Sequence, residues 1–281
     1  MMQRVDSLQE LKRIANRMRI DIVKMIGEAG SGHPGGSLSA VELLVALYFR
    51  VMRHDPKNPK WPDRDRFILS KGHACPVLYA AYAESGYIDP ALLHTLRKLG
   101  SPLQGHPDRR FLPILEASTG SLGLGVSLGA GMALAARLDK KDFHTFVMLG
   151  DGESQEGQVW EGAMFAGFHK LSNLTVIVDN NQQQLDDFTA KILDLKPLAE
   201  KWLSFGWNVI EIDGHDFNQV IPALEEGRAA TQKPTAIIAN TIKGKGVSFM
   251  ELNIKFHGSA PKPEEVTAAV KELEAAGAAL R

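Results

Sequence analysis

The alternation of apolar and polar positions is clearest between residues 144 and 183. An apolar run, Phe146-Val147-Met148-Leu149, breaks at Gly150-Asp151-Gly152. Residues 156–171 then place Val159, Trp160, Ala163, Phe165, Ala166 and Leu171 near helical spacing, and a second apolar run over residues 174–178 ends at Asp179-Asn180-Asn181. Strand, helix and strand within about forty residues is the size of a right-handed βαβ unit. Its strands run parallel, so Asp151 and Asn181 each emerge just past a strand's carboxyl end. Open α/β sheets bind ligands along that edge.

The same reading extends along the chain. Leu8, Leu11, Ile14, Ala15, Met18, Ile22 and Met25 recur near a 3.6 period and predict an amphipathic helix over residues 7–29, stopped by Gly27 and Gly30. Further helices are expected over about 37–50, near 90–99, up to about 138, over 188–205 and over 217–230, the last capped by Asp216 or His215. Strands are expected at 67–70, 207–212 and 235–240, and residues 53–66 form a polar, proline-rich surface loop. From residue 261 the chain is rich in Ala, Glu and Lys, a C-terminal tail or helix. The expected class is α/β, with a mainly parallel, doubly wound sheet carrying helices on both faces, residues 1–281 forming a single domain.

Composition narrows the function classes. A net charge of −1 among 281 residues gives no reason to expect nucleic acid or an anionic membrane as partner. Cys75 is the one cysteine, which excludes an internal disulfide and any multi-cysteine metal site. At a helix start its thiol is open to activation, but a buried structural role is the expectation. No apolar run approaches the length of a membrane span, and the first residues lack the apolar core of a signal peptide, so a cytoplasmic location is expected.

The chemistry gathers at glycine-bounded turns. Asp151 and Asn181 offer hard oxygen ligands, suited to Mg²⁺, Ca²⁺ or Mn²⁺. Gly150 and Gly152 let a diphosphate approach the backbone where a helix begins; a turn whose Asp caps that helix is the plainer alternative. Four histidines stand in similar turns: Ser31-Gly32-His33-Pro34-Gly35, Lys71-Gly72-His73, Gln104-Gly105-His106-Pro107 and Phe256-His257-Gly258. The glycine loop Thr241-Ile242-Lys243-Gly244-Lys245-Gly246 reads equally as a phosphate contact or as surface charge. Gly123-Leu124-Gly125 does not continue as a dinucleotide fingerprint, and His215 is given no catalytic role.

Gly150-Asp151-Gly152, some thirty residues, then Asn180-Asn181 resembles the thiamine diphosphate signature, and GDGESQEGQVWEGA resembles its transketolase version in particular. The order of the histidine motifs and Thr119-Gly120-Ser121-Leu122-Gly123 extends the likeness over about residues 7–258. The resemblance implies the thiamine diphosphate-binding fold of the diphosphate-type domain. It implies that Asp151, the Asn181 side chain and the Gln183 main-chain oxygen hold Mg²⁺ (or Ca²⁺ or Mn²⁺). It assigns His73, Gly120, Leu122, Gly152, Glu153, Asn181, Lys243 and His257 to the cofactor, and His33, His106 and His257 to proton transfer and hydroxyl orientation. It places Glu156 and Glu161 at a dimer interface that couples two active sites.

The implied activity is transfer of a two-carbon ketol unit from a ketose phosphate to an aldose phosphate. Transketolases continue with a pyrimidine-binding domain and a third domain, whereas this sequence stops at Arg281. The expectation is therefore an amino-terminal subunit of a split transketolase, inactive alone and paired in an α2β2 assembly with a separate pyrimidine-binding subunit. Two alternatives stand beside it. One is the matching subunit of another thiamine enzyme, of the 2-oxoacid dehydrogenase or 1-deoxyxylulose-phosphate synthase type. The other is a non-catalytic regulatory partner.

Overall fold

The apolar runs pair side by side. The computed structural model describes residues 4–280, and in it β1 (Arg66–Leu69), β2 (Thr145–Gly150), β3 (Leu174–Asn180), β4 (Asn208–Asp213) and β5 (Thr235–Asn240) form one parallel sheet in the order β1-β2-β3-β5-β4. The helices are α1 (Leu8–Ala29), α2 (Pro34–Ser39), α3 (Val41–Ala46), α4 (Cys75–Glu84), α5 (Leu124–Leu138), α6 (Gly157–Phe168), α7 (Thr189–Ile192), α8 (Leu198–Ser204), α9 (Phe217–Ala229) and α10 (Pro263–Ala278). No helix among the described residues is long and apolar enough to cross a membrane.

The central strands are apolar on both faces because both faces are covered. Phe146, Met148, Ile177, Ile237 and Ala239 point into the core shared with α1, α3, α4 and α9. Their neighbours Val147, Leu149, Val176, Val178, Ala236 and Ile238 point into the second core, with α5, α6 and Trp202 of α8. This is the expected doubly wound arrangement. Gly150 pairs with Asp179, and Asp179 in turn with Ala239. The ends of β2, β3 and β5 are thus level, and Asp151, Asn181 and Thr241 leave the sheet side by side.

Three helical expectations need correction. The helix expected over 37–50 begins at Pro34, whose fixed φ suits a first turn; it breaks at Ala40 and ends in a wider π turn over Leu47–Val51. Near 90–99 there is only a 3₁₀ turn, Pro90–Thr95, because the chain turns extended at Leu96 and left-handed at Arg97, φ 59°. The helix expected over 188–205 is two short ones, α7 and α8. Pro197 lacks an N–H and disfavours a helical Lys196, so the segment between them cannot stay helical.

Residues beyond 261 form a helix rather than a loose tail. The Glu265 carboxylate accepts the Lys262 N–H at 2.8 Å and caps α10. Ala269 and Leu273 are buried, and the Asn16 side chain donates to the Leu273 carbonyl at 3.0 Å, fastening α10 to α1.

Candidate active site

A cavity of about 370 Å³ opens at the carboxyl edge of the sheet. β1 delivers Lys71 and His73, β2 delivers Gly150 to Glu153, β3 delivers Asn181 and Gln183, and the turn after β5 delivers Lys243. Loops from outside the sheet add His33, His106, Gly120, Leu122 and His257. The expected site residues thus line one cavity, Glu156 included at its rim, with the exception of Glu161, which is exposed on α6. Lys71, Gly36, Gln155, Gln184 and Leu185 join them although the sequence singled none of them out. Lys71 carried a signal, a charged residue directly after an apolar strand, whereas Gly36, Gln155, Gln184 and Leu185 carried none.

The imidazoles cluster. The His33 ring lies 5.1 Å from that of His73, 5.5 Å from that of His257 and 6.5 Å from that of His106, centre to centre. Burial, then the Arg97, His106 and Lys243 charges, pushes His33 down to about 4. Burial, then Lys243, takes His257 to about 3. Burial holds His73 well below its ordinary value, and burial with Arg97 lowers His106. All four are therefore neutral near pH 7 and offer a lone pair each. His33 Nδ1 is buried with no hydrogen-bond partner among the described residues.

The same cavity holds a carboxylate that forms no ion pair among the described residues. Asp151 is buried; it accepts the Gly152 N–H at 2.9 Å and the Gln182 N–H at 2.7 Å. Burial and the nearby Asp179 raise it to about 7. The Asn181 side chain stands beside it, its Nδ2 donating to Asp179 at 2.9 Å and its Oδ1 accepting the Gln183 N–H at 3.2 Å. The Lys243 ammonium donates to the Gln183 and Gln184 carbonyls, at 3.1 and 3.3 Å, and meets His257 Nδ1 at 2.7 Å. Burial pulls it down to about 8. Among the described residues no three His, Cys, Asp or Glu side chains converge as a metal-binding group.

Two buried acids hold this wall in place. Asp179, at the end of β3, accepts from Lys71, Ser39, Thr241 and Asn181. Burial opposes its charge, but Lys71 and these donors outweigh burial and keep it below the usual carboxylate range. Glu153 accepts the Ser70 hydroxyl, the Gly123 N–H at 2.9 Å and the Gly150 N–H at 3.1 Å. It ties the turns after β1 and β2 to the start of α5. Gly152 has an ordinary φ of −60°, yet a Cβ there would lie 2.6 Å from that of Gln184. At Gly120 φ is +155°, which side chains rarely adopt.

His215 lies outside the cavity. Its Nδ1 faces Glu42 at 3.0 Å and its Nε2 accepts the Ile242 N–H at 2.8 Å, a structural link. Cys75 is buried and its thiol is pushed up to about 12 by burial, so it stays protonated.

Residues 10–277 match the family model described as transketolase, thiamine diphosphate binding domain. The chain is 48% identical over 269 residues to a 6-deoxy-6-sulfo-D-fructose transketolase subunit of Clostridium sp. (strain MSTE9), covering 96% of this chain and 98% of that protein. It is 41% identical over 264 residues to one subunit of the apulose-4-phosphate transketolase of Phocaeicola vulgatus, covering 94% and 93%. A crystal structure of Campylobacter jejuni transketolase superposes with a TM-score of 0.89 at 32% identity, over 98% of this chain and 46% of that one. The chain thus spans nearly all of the two subunit relatives but less than half of the solved transketolase. It belongs to the thiamine diphosphate-binding domain family of the transketolases.

Proposed function

We propose that this chain is the diphosphate-binding subunit of a two-polypeptide, thiamine diphosphate-dependent transketolase. Joined by a pyrimidine-binding subunit in the cytoplasm, it moves a two-carbon ketol unit from a ketose phosphate to an aldose phosphate. One observation carries the reading: a cluster of neutral histidines and a buried carboxylate with no ion-pair partner among the described residues line a single cavity at the sheet's carboxyl edge.

The residues present fit the groups this chemistry needs. The Asp151 carboxylate, the Asn181 amide oxygen and the Gln183 carbonyl form a hard, all-oxygen donor set. One carboxylate with neutral oxygens suits Mg²⁺, which draws its other ligands from phosphate and water. Asp151, its proton affinity raised by burial, gains most from such an ion. Lys243, Lys71 and His73 line the same wall, where they bind and orient a diphosphate. Thiamine diphosphate, when bound, supplies the nucleophilic carbon and the electron sink. His33, His106 and His257, held neutral, accept protons from sugar hydroxyls and orient them.

What the fold leaves bare supports assembly. α5 and α6 pack together and expose Leu124, Leu128, Met164, Phe165 and Phe168, the last 82% exposed. Apolar surface of this kind marks a contact, and Glu156 and Glu161 stand on the same segment. An α2β2 assembly covering this face completes the reading.

Reconstitution tests it. The chain is co-purified with a candidate pyrimidine-domain partner and given thiamine diphosphate and Mg²⁺. Release of glyceraldehyde-3-phosphate from xylulose 5-phosphate is followed with ribose 5-phosphate present, and sulfonated and phosphorylated ketoses are then compared as donors. Product should require both chains and the cofactor; turnover by this chain alone, or cofactor binding without ketol transfer from any ketose, refutes the proposal. Asp151→Asn should abolish Mg²⁺-dependent cofactor binding while circular dichroism shows the free chain still folded.

A further inference from the structure

We propose that Arg97 is a positioning residue of this reaction, a latch that ties the loop ahead of His33 to the loop ahead of His106 and so fixes the two imidazoles against one another. Its kinetic consequences rest on the ketol-transfer reading above; the placement of the rings does not.

Arg97 Nη1 donates to the Ser31 hydroxyl at 2.9 Å, and Nη2 donates to the Gly105 carbonyl at 3.3 Å. Ser31 and Gly105 are two residues and one residue before the histidines. The guanidinium has two fixed donor edges, so it holds both loops at once, which a lysine ammonium at the end of a flexible stem does not reproduce. Arg97 is not itself among the residues lining the cavity, so it acts through the two loops it holds.

The surroundings are shaped to admit the guanidinium. Arg97 has φ 59°, unusual for a residue with a side chain, and its own N–H donates to the Leu103 carbonyl at 2.9 Å. That turn doubles the chain back and aims the side chain between the two loops. A Cβ at position 105 would sit 2.7 Å from Arg97 Cζ, so glycine is what lets the guanidinium lie against the backbone. The Tyr79 hydroxyl donates to the Gln104 carbonyl at 2.9 Å and Cys75 Sγ lies 3.3 Å from the Gly105 carbonyl, gripping the same loop from α4.

Electrostatics agrees with the geometry. His33 is faced by Arg97, His106, Lys243, His73 and His257; His106 is faced by Arg97 and His33. Burial is the largest influence lowering both imidazoles, and Arg97 is the next in each. Removing it should let both rings take up a proton at higher pH and drift apart.

The test uses Arg97→Ala and Arg97→Lys in the reconstituted complex, with histidine NMR titrations of the full-length chain beside it. Arg97→Ala is expected to lower kcat/KM for the ketose about 100-fold, with cofactor affinity changed less than about twofold, since a small misplacement of reacting groups costs that much. The acid limb of the pH profile should move to higher pH, added guanidinium ion should restore part of the rate, and Arg97→Lys should fall between. In the NMR titration both His33 and His106 should protonate at higher pH. Unchanged titrations with a rate within about threefold of the parent overturn the proposal. Should the parent complex transfer no ketol unit, the NMR contacts between the His33 and His106 rings decide it, since they should weaken in Arg97→Ala and their persistence overturns the proposal; should the alanine variant not fold, Arg97→Gln takes its place.

Discussion

Asp179 is the residue on which the site's wall depends, and Asp179→Asn tests that directly. The substitution keeps shape and removes charge. Four donors now converge on two carboxylate oxygens: the Lys71 ammonium, the Ser39 and Thr241 hydroxyls and the Asn181 amide. An asparagine presents one acceptor and one donor to the same four, so at least one donor meets another donor. Lys71, whose side chain is 2% exposed, keeps only the Gly36 carbonyl at 2.8 Å. Removing one member of a buried ion pair costs about 3–5 kcal/mol, because the other charge stays buried without compensation. At roughly 2–4 °C per kcal/mol for a domain near this size, the melting temperature should drop by about 10 °C. Urea unfolding monitored by tryptophan fluorescence measures the free energy, and calorimetry measures the midpoint. A cycle with Lys71→Met separates pair from site: the double variant should be more stable than Asp179→Asn alone. A loss below about 1 kcal/mol, with no coupling to Lys71, refutes the argument.

The remaining predictions concern packing and acid stability. A Cβ at Gly167 would lie 1.9 Å from the Phe205 carbonyl oxygen, so Gly167→Ala forces main chain apart and should cost about 1–3 kcal/mol in urea unfolding. Gly131→Ala, on the exposed side of α5 with nothing within 4 Å, should instead stabilise the isolated chain by about 0.5–1 kcal/mol. His144 is buried against Thr175 at 2.8 Å, and burial lowers it from 6.5 to about 3. The unfolded chain therefore binds a proton below pH 6.5 that the folded chain refuses until about pH 3. Its contribution is complete above pH 6.5 and is lost as pH falls through that window, on the order of 4 kcal/mol at the acid end. His144→Gln should flatten the fall of stability with acid, as read from melting temperatures across that range; an unchanged slope counts against a neutral buried His144.

Much of this protein could be read before any coordinates. Parallel strands buried on both faces appear as unbroken apolar runs, and chain order alone puts the ends of β2 and β3 at one edge of the sheet. Asp151 and the four histidines are marked by the glycine turns that carry them, and Asn181 by the end of an apolar run, each a local signal. Other features depend on distances that no local pattern encodes. Lys71 and Asp179 are 108 positions apart, and Glu153 meets Ser70 from 83 positions away. The latch is of the same kind: Arg97 reaches Ser31 across 66 residues, and does so only because a helix expected near 90–99 ends early in a left-handed turn. Sequence by itself determined which residues could carry the chemistry and which strand ends would present them, because periodicity and turn preference are short-range. Only the tertiary structure decided which charges are paired, how Asp151 is buried without an ion pair among the described residues and which imidazoles are neutral, because burial and electrostatic coupling arise when distant segments exclude water together.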